Sequence, residues 1–257
     1  MRRVAFKRII HLSAVGALFS SAWAENDLST LHRIQIFGTA NAQAVQYIDI
    51  HHQMEEGSFF EGWSERPPFI AQQLAGDSWE ILSIHPMVSY GDYFEREKLV
   101  LRREAHGRFA EQLESLSGMT KFEEDMFAAG PGIETLDREF RANKYLRIES
   151  LKIAGGTASQ ILETVDRWNN VRAALELPVI FPFSVDAGSD VDIVFISFYP
   201  SREAVFGDHD ISMKRLDDGA KQAGFDSYAE IESAIASSAY SHSSSVAEIV
   251  RRAKTKP

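Results

Sequence analysis

"VDIVFISFYPSREAVF", Val191 to Phe206, decides how this chain is read. A run of β-branched and aromatic residues closed by Pro200 is an apolar strand, and Ser201 then opens a helix. "WEILSIHPMVSYGDYF", Trp79 to Phe94, falls on the same stretch without a gap. Each copy is an apolar strand, a serine (Ser89 or Ser201) and a helix start that ends in Phe94 or Phe206. The chain is therefore organised as a repeat.

Around the second copy the pattern is regular. "VIFPFSV" is a strand joined to it through "DAGSD", where Asp and Gly supply hairpin chemistry. Upstream, "YLRIESLKI" (Tyr145 to Ile153) is a strand ended by Gly155-Gly156. Thr157 with Gln160 then reads as a capping box, and Ile161, Leu162, Val165, Trp168 and Leu175 recur at helical spacing until Pro178. Downstream, "SMKRLDDGAKQ" to Gly224 and Tyr228 to about Ala239 are helical. In the first half, "VQYIDIHHQM" reads as a strand ended by Gly57, and "FFEGWSERPPFIAQQL" as a helix-like piece broken by Pro67-Pro68. No second strand is evident between Leu74 and Trp79. Phe94, Leu101, Ala105, Phe109, Leu113 and Leu116 stripe one long helix over Tyr93 to Leu116, and Thr120 with Glu123 opens a short one.

Strand, helix, strand pair and helix, occurring twice, is the pattern of tandem ferredoxin-like units. On "YLRIESLKIAGG" and "DIVFISFYPSREAVF" the chain resembles the dimeric α/β-barrel superfamily, and most its NIPSNAP-type branch. The resemblance implies an α+β fold: two ferredoxin-like halves form an α/β barrel, with two antiparallel sheets face to face and helices outside. It also implies a cavity between the sheets that holds haem, a small aromatic or polyketide-like substrate, or nothing known. It transfers no functional residues, because fold analogy alone does not give function.

The expected layout is a signal peptide over 1–24, an N-terminal extension over 25–42, a first half over 43–118, a helical connector over 119–143, a second half over 144–242 and a frayed tail over 243–257. The leader rests on a basic head "MRRVAFKR", a short apolar run and "AWA" before Glu25. It implies a periplasmic or secreted protein with no stable membrane span after cleavage. Removing Arg2, Arg3, Lys7 and Arg8 leaves 23 of the 27 basic residues against 37 acidic ones, a net charge of −14. That balance argues against nucleic acid as a partner. The absence of cysteine excludes disulfides, thiol nucleophiles and thiolate metal sites.

Read as a strand, "YIDIHHQMEEG" (Tyr47 to Gly57) splits its adjacent histidines onto opposite faces, with His52 in the apolar row of Ile48, Ile50 and Met54. His52 and His85 are the candidate catalytic residues, as pocket acid, base or haem ligand. The candidate ligand-binding residues are Trp79, Ser83, Phe195, Ser197 and Tyr199. The repeat partner of His85 is Ser197, so a role for His85 belongs to the first half alone. Asp208, His209 and Asp210 read as solvated loop residues, and Asp186, Asp190 and Asp192 lack the spacing of a calcium loop, so no metal is expected. His242 is expected at a helix C-terminus, and Arg147 and Glu149 as partners across a sheet. No serine-hydrolase, zincin or dinucleotide motif is present.

Three functions fit this pattern. The first is an exported protein that holds a small, largely apolar molecule between its sheets. The second is a cofactor-independent or haem-dependent barrel enzyme, monooxygenase- or isomerase-like, with a pocket histidine. The third is a protein-interaction module with a filled barrel and an exposed apolar patch. A homodimer is compatible with each.

Overall fold

The computed structural model describes residues 30–40, 43–62, 67–207 and 211–250. The leader read over 1–24 and the loop residues Asp208, His209 and Asp210 lie outside them. Eight strands close into one antiparallel barrel: β1 (Thr30–Thr39), β2 (Phe69–Ala75), β3 (Ile81–Val88), β4 (Thr120–Gly130), β5 (Tyr145–Ile153), β6 (Ile180–Ala187), β7 (Ile193–Tyr199) and β8 (Ala239–Ile249). The order around the barrel is β1-β3-β2-β8-β5-β7-β6-β4. It consists of the ferredoxin order β4-β1-β3-β2 joined to its repeat β8-β5-β7-β6, so the expected fold class is what the chain adopts. The halves join where β2 pairs with β8 and β4 with β6.

The register confirms the ungapped repeat. His85 lies opposite Arg33 between β3 and β1, and Ser197 lies opposite Arg147 between β7 and β5. Ser89 then caps α2 (Tyr90–Tyr93) by accepting from the Asp92 N–H, and Ser201 caps α7 (Arg202–Phe206) by accepting from the Ala204 N–H.

Several first-half assignments are corrected. "YIDIHHQM" belongs to helix α1 (Ala44–Glu56), which buries Ala44, Tyr47, Ile48, His51 and Met54 at helical spacing. Val45, counted with the strand, is 63% exposed. The first strand is "TLHRIQIFGT", placed sequentially in the extension, where His32, Ile34 and Ile36 face the interior. Gly38 allows its close pairing with β4, since a Cβ there would run into the Phe122 ring. β2 follows Pro67-Pro68 directly, where a helix-like piece was expected. Thr120 and Glu123 begin β4, not a helix; Glu123 accepts from Gln35 Nε2 at 2.6 Å on the neighbouring strand. The region read as a helical connector is therefore β4 followed by α5 (Ile133–Ala142). The region read as a frayed tail contributes the second part of β8, and the serine-rich "SSS" is held by main-chain bonds to β5. Tertiary pairing with β5 overrides the weak strand preference of those serines.

The long helix expected over Tyr93 to Leu116 is interrupted. It consists of α3 (Arg96–Arg108) and α4 (Ala110–Met119), which meet at Phe109. In the second half, α6 (Ala158–Ala174), α8 (Met213–Gln222) and α9 (Tyr228–Ser238) stand where the periodicity put them. The capping box at Thr157 does not form: its hydroxyl donates to the Ala154 carbonyl at 2.7 Å. His242 lies in β8 beside Glu149 at 3.5 Å, not at a helix end.

The space between the sheets is filled by side chains. Ile34, Leu82, Ile84, Met126, Phe183 and Ile196 pack there with no solvent exposure. At one mouth α5 inserts Leu136 and Phe140, with Phe140 4.4 Å from Phe69 and 5.1 Å from Phe198. At the opposite mouth Trp79 packs into the same core and donates from Nε1 to Ser245 Oγ at 3.2 Å.

Candidate functional site

Polar side chains concentrate in one buried place, the layer between the first-half sheet and its helices. Strand alternation puts Arg33, Gln35, Ser83 and His85 on the outer face of β1 and β3, because Ile34, Ile36, Leu82 and Ile84 point inward. Helix α1 covers that face and carries Tyr47 and His51 on its buried stripe. The 3-10 turn Phe59–Gly62 closes the layer with Phe59 and Phe60.

The geometry is specific. His51 lies between two rings, stacked on Phe60 at 4.8 Å and on Tyr47 at 6.3 Å between centroids. Phe60 is also 5.8 Å from His85, so one ring packs against both imidazoles. His85 Nε2 shares a hydrogen bond with Ser83 Oγ at 3.0 Å. His51 Nδ1 is buried and has no hydrogen-bond partner among the described residues. Beside the histidines, Arg33 forms a two-pronged pair with Asp125, and Arg102 donates to the Tyr93 carbonyl with its guanidinium 4.0 Å from the Tyr93 ring centroid.

Burial governs the protonation of this layer. Loss of solvent pushes His51 down to about 3, helped by neighbouring His52. His85 is held well below the usual imidazole range by burial, by His51 and by Arg33. Tyr47 is pushed up by burial and by the Glu123 carboxylate. At neutral pH the layer therefore presents two uncharged imidazoles and one un-ionised phenol. Such groups give and take hydrogen bonds, and a base this weak does not hold a proton from solvent.

The sequence candidates distribute unevenly. His85 and Ser83 are in this layer and bonded to each other. His52 is not; the helical period turns it partly outward and brings His51 in. Trp79 faces the barrel interior. Phe195 packs against Ile161 and Val165 outside the second-half sheet, and Tyr199 packs with Val205 and Val246. Ser197 is buried opposite Arg147. Phe195, Ser197 and Tyr199 share the outer face of β7, whereas Trp79 points inward and Ser83 lies on the outer face of β3. Arg147 donates to the Val205 carbonyl at 2.7 Å, while Asp190 pairs with Lys152 and Asp192 accepts from the Ile153 N–H at 2.7 Å. Among the described residues no group of three or more His, Asp or Glu is placed to hold a metal ion.

Two histidines were missed by strand-first reading. His51 was legible in the spacing Ala44, Tyr47, Ile48, His51, Met54 once that stretch is treated as a helix. His32 alternates with Ile34 and Ile36 and lies inside the barrel. Its Nε2 donates to the Pro131 carbonyl at 2.8 Å, its Nδ1 has no partner among the described residues, and burial lowers its pKa to about 4.

The fold defines an α/β barrel of two fused ferredoxin-like halves, and solved structures share it. An anthrone oxidase-like protein superposes with a TM-score of 0.58 at 13% identity over 87% of this chain and 92% of its own. A protein from Lactobacillus acidophilus, provisionally named a monooxygenase, gives 0.51 at 14% identity over 88% and 95%. Chlorite dismutase from Candidatus Nitrospira defluvii, in complex with imidazole, gives 0.50 at 7% identity over 89% and 94%. No family model and no curated protein matches the sequence.

Proposed function

We propose that the protein binds a small, largely apolar aromatic molecule bearing a hydroxyl group, in the first-half layer between α1 and the sheet. The observation that carries this reading is the buried His51 Nδ1, an unpartnered polar atom among aromatic rings and next to His85. An orphaned buried imidazole nitrogen is costly, and a ligand hydroxyl, which both gives and takes hydrogen bonds, removes that cost. The filled barrel interior favours this layer over the space between the sheets.

The oxidase and monooxygenase names of two fold neighbours extend the reading to chemistry. In that extension a ring methylene of the bound molecule loses two hydrogens and gains one oxygen from dioxygen, and the second oxygen atom leaves as water. Haem does not fit the layer as it stands, because both imidazoles are buried and packed against the Phe60 ring. A second reading, an interaction module or homodimer, is favoured by the filled barrel and by exposed Phe94, Leu99, Val100 and Leu101. Export with cleavage after Ala24, and a place in the NIPSNAP-type branch, complete the proposal; both rest on the sequence.

Titration with 2-naphthol and with naphthalene tests the binding reading. The expected result is 2-naphthol binding that weakens about tenfold or more in His51→Val, with naphthalene binding unchanged. Equal 2-naphthol affinity in the variant and the parent would overturn it. Oxygen uptake with anthrone tests the chemical extension, and the mass of the secreted form tests cleavage after Ala24.

A further inference from the structure

The first-half layer is closed. His51 and His85 expose 6% and 5% of their surface, and Phe60, which packs against both, exposes 5%. A ligand ring that reaches the imidazoles must therefore displace a side chain already there. Tyr47 is held on α1, Ser83 on β3 and Arg33 on β1, so moving any of these disrupts a helix or a strand ladder. Phe60 is carried by the 3-10 turn Phe59–Gly62, a form with poorer hydrogen-bond geometry than an α-helix. It meets His51 nearly face to face, with 27° between the ring planes, and any flat aromatic ring can reproduce that stack.

The repeat shows that the scaffold does not require this turn. With Ala44 on Ala158, α1 has 13 residues and stops about one turn before the end of α6, which has 17. Phe60 then falls on Ala174, the last residue of α6. The second half covers its apolar layer with a continuous helix, whereas the first half ends the helix at Gly57 and lays a ring against the histidines.

We infer that Phe60 holds the place of the ligand: the aromatic ring of the bound molecule takes its position against His51 and His85, and the turn Phe59–Gly62 moves aside to admit it. Resting on the binding reading above, this adds the residue that is displaced and the element that moves. It also narrows the ligand class, because a flat aromatic ring restores the stack that Phe60 gives up and a saturated ring does not.

Titration of the full chain with 2-naphthol and with decahydro-2-naphthol, its saturated counterpart, tests this together with amide hydrogen exchange. Phe60→Ala should bind 2-naphthol about tenfold tighter than the parent, since no ring has to be displaced. Ile161→Ala, which opens space in the second-half layer instead, should bind it as the parent does. The saturated alcohol should bind the parent severalfold more weakly than 2-naphthol. In the parent, saturating 2-naphthol should speed amide exchange at Phe59 and Phe60 severalfold while slowing it in α1. That last measurement needs no variant, so it decides the matter even where Phe60→Ala does not fold. Parent binding that depends on His51 but is unchanged in Phe60→Ala, or slower exchange at Phe59 and Phe60 on binding, would overturn the inference and leave the binding reading standing. Absence of 2-naphthol binding in both the parent and Phe60→Ala would overturn the two together.

Discussion

The two halves share one scaffold and differ in what they bury beneath their helices. In both, the helix opens five residues past the end of the first strand, at Ala44 after Thr39 and at Ala158 after Ile153. With Arg33 on Arg147, His51 then falls on Val165, Tyr47 on Ile161, Ser83 on Phe195 and His85 on Ser197. The second-half layer is an apolar core of Leu151, Ile153, Ile161, Val165, Ile193 and Phe195. The first-half layer holds two buried imidazoles in the same places. A scaffold that is stable with aliphatic residues does not need histidines there. On the function proposed above, this difference makes the first half the ligand-binding one.

Acid breaks the comparison most strongly. His51, His85 and His32 all have folded values below the ordinary 6.5. The unfolded chain therefore binds more protons than the folded one below about pH 6.5, and stability falls as pH drops from there towards pH 4. The loss should reach on the order of 5 kcal/mol, comparable with the whole stability of a small protein. Importing the second-half residues, as His51→Val with His85→Ser, should remove most of that acid dependence. Urea midpoints measured at pH 7 and pH 4.5 check this, and an unchanged pH dependence in the double variant would show that the layer is not its source.

Replacement of Trp79 by its repeat partner valine comes next. Trp79 fills the barrel mouth and donates to Ser245, whereas Val191 is only partly buried against the same core. Trp79→Val should cost about 3 kcal/mol, read from denaturant unfolding, while Val191→Ala should cost about 1 kcal/mol. The comparison sharpens at the shared features. Ser89→Ala and Ser201→Ala remove equivalent caps and should each cost about 1 kcal/mol or less, by the same measurement. A large inequality between them would mean that the repeat is less regular than its register.

The second half was legible in sequence because its local signals agree with its tertiary role. Ile193 to Tyr199 is apolar but for Ser197 and becomes a strand buried along its whole length, and Ile161, Val165 and Trp168 keep helical spacing in a helix that covers it. The first half obscures both signals. Tyr47 to Met54 alternates in polarity as a strand does, yet length and the Ala44–Tyr47–Ile48–His51 spacing make it a helix. β4 and β8 carry mostly polar, exposed residues over part of their length, and those parts are strands because each is paired along one edge, to β1 and to β5. Such strands carry no pattern of their own, since closure of the barrel supplies their reason to exist. His85 and its first-half confinement were legible from the repeat alone. His51 was hidden by the misread period, and that one error moved the candidate from the buried histidine to its neighbour.

The central claim is that His51 and His85 form a ligand layer confined to the first half. Nitrogen NMR of histidine-labelled protein during titration with 2-naphthol tests it most directly. The account predicts that the His51 and His85 imidazole signals move with ligand while those of His32 and His242 stay. Movement of His32 alone, or binding with no change at His51 and His85, would contradict it.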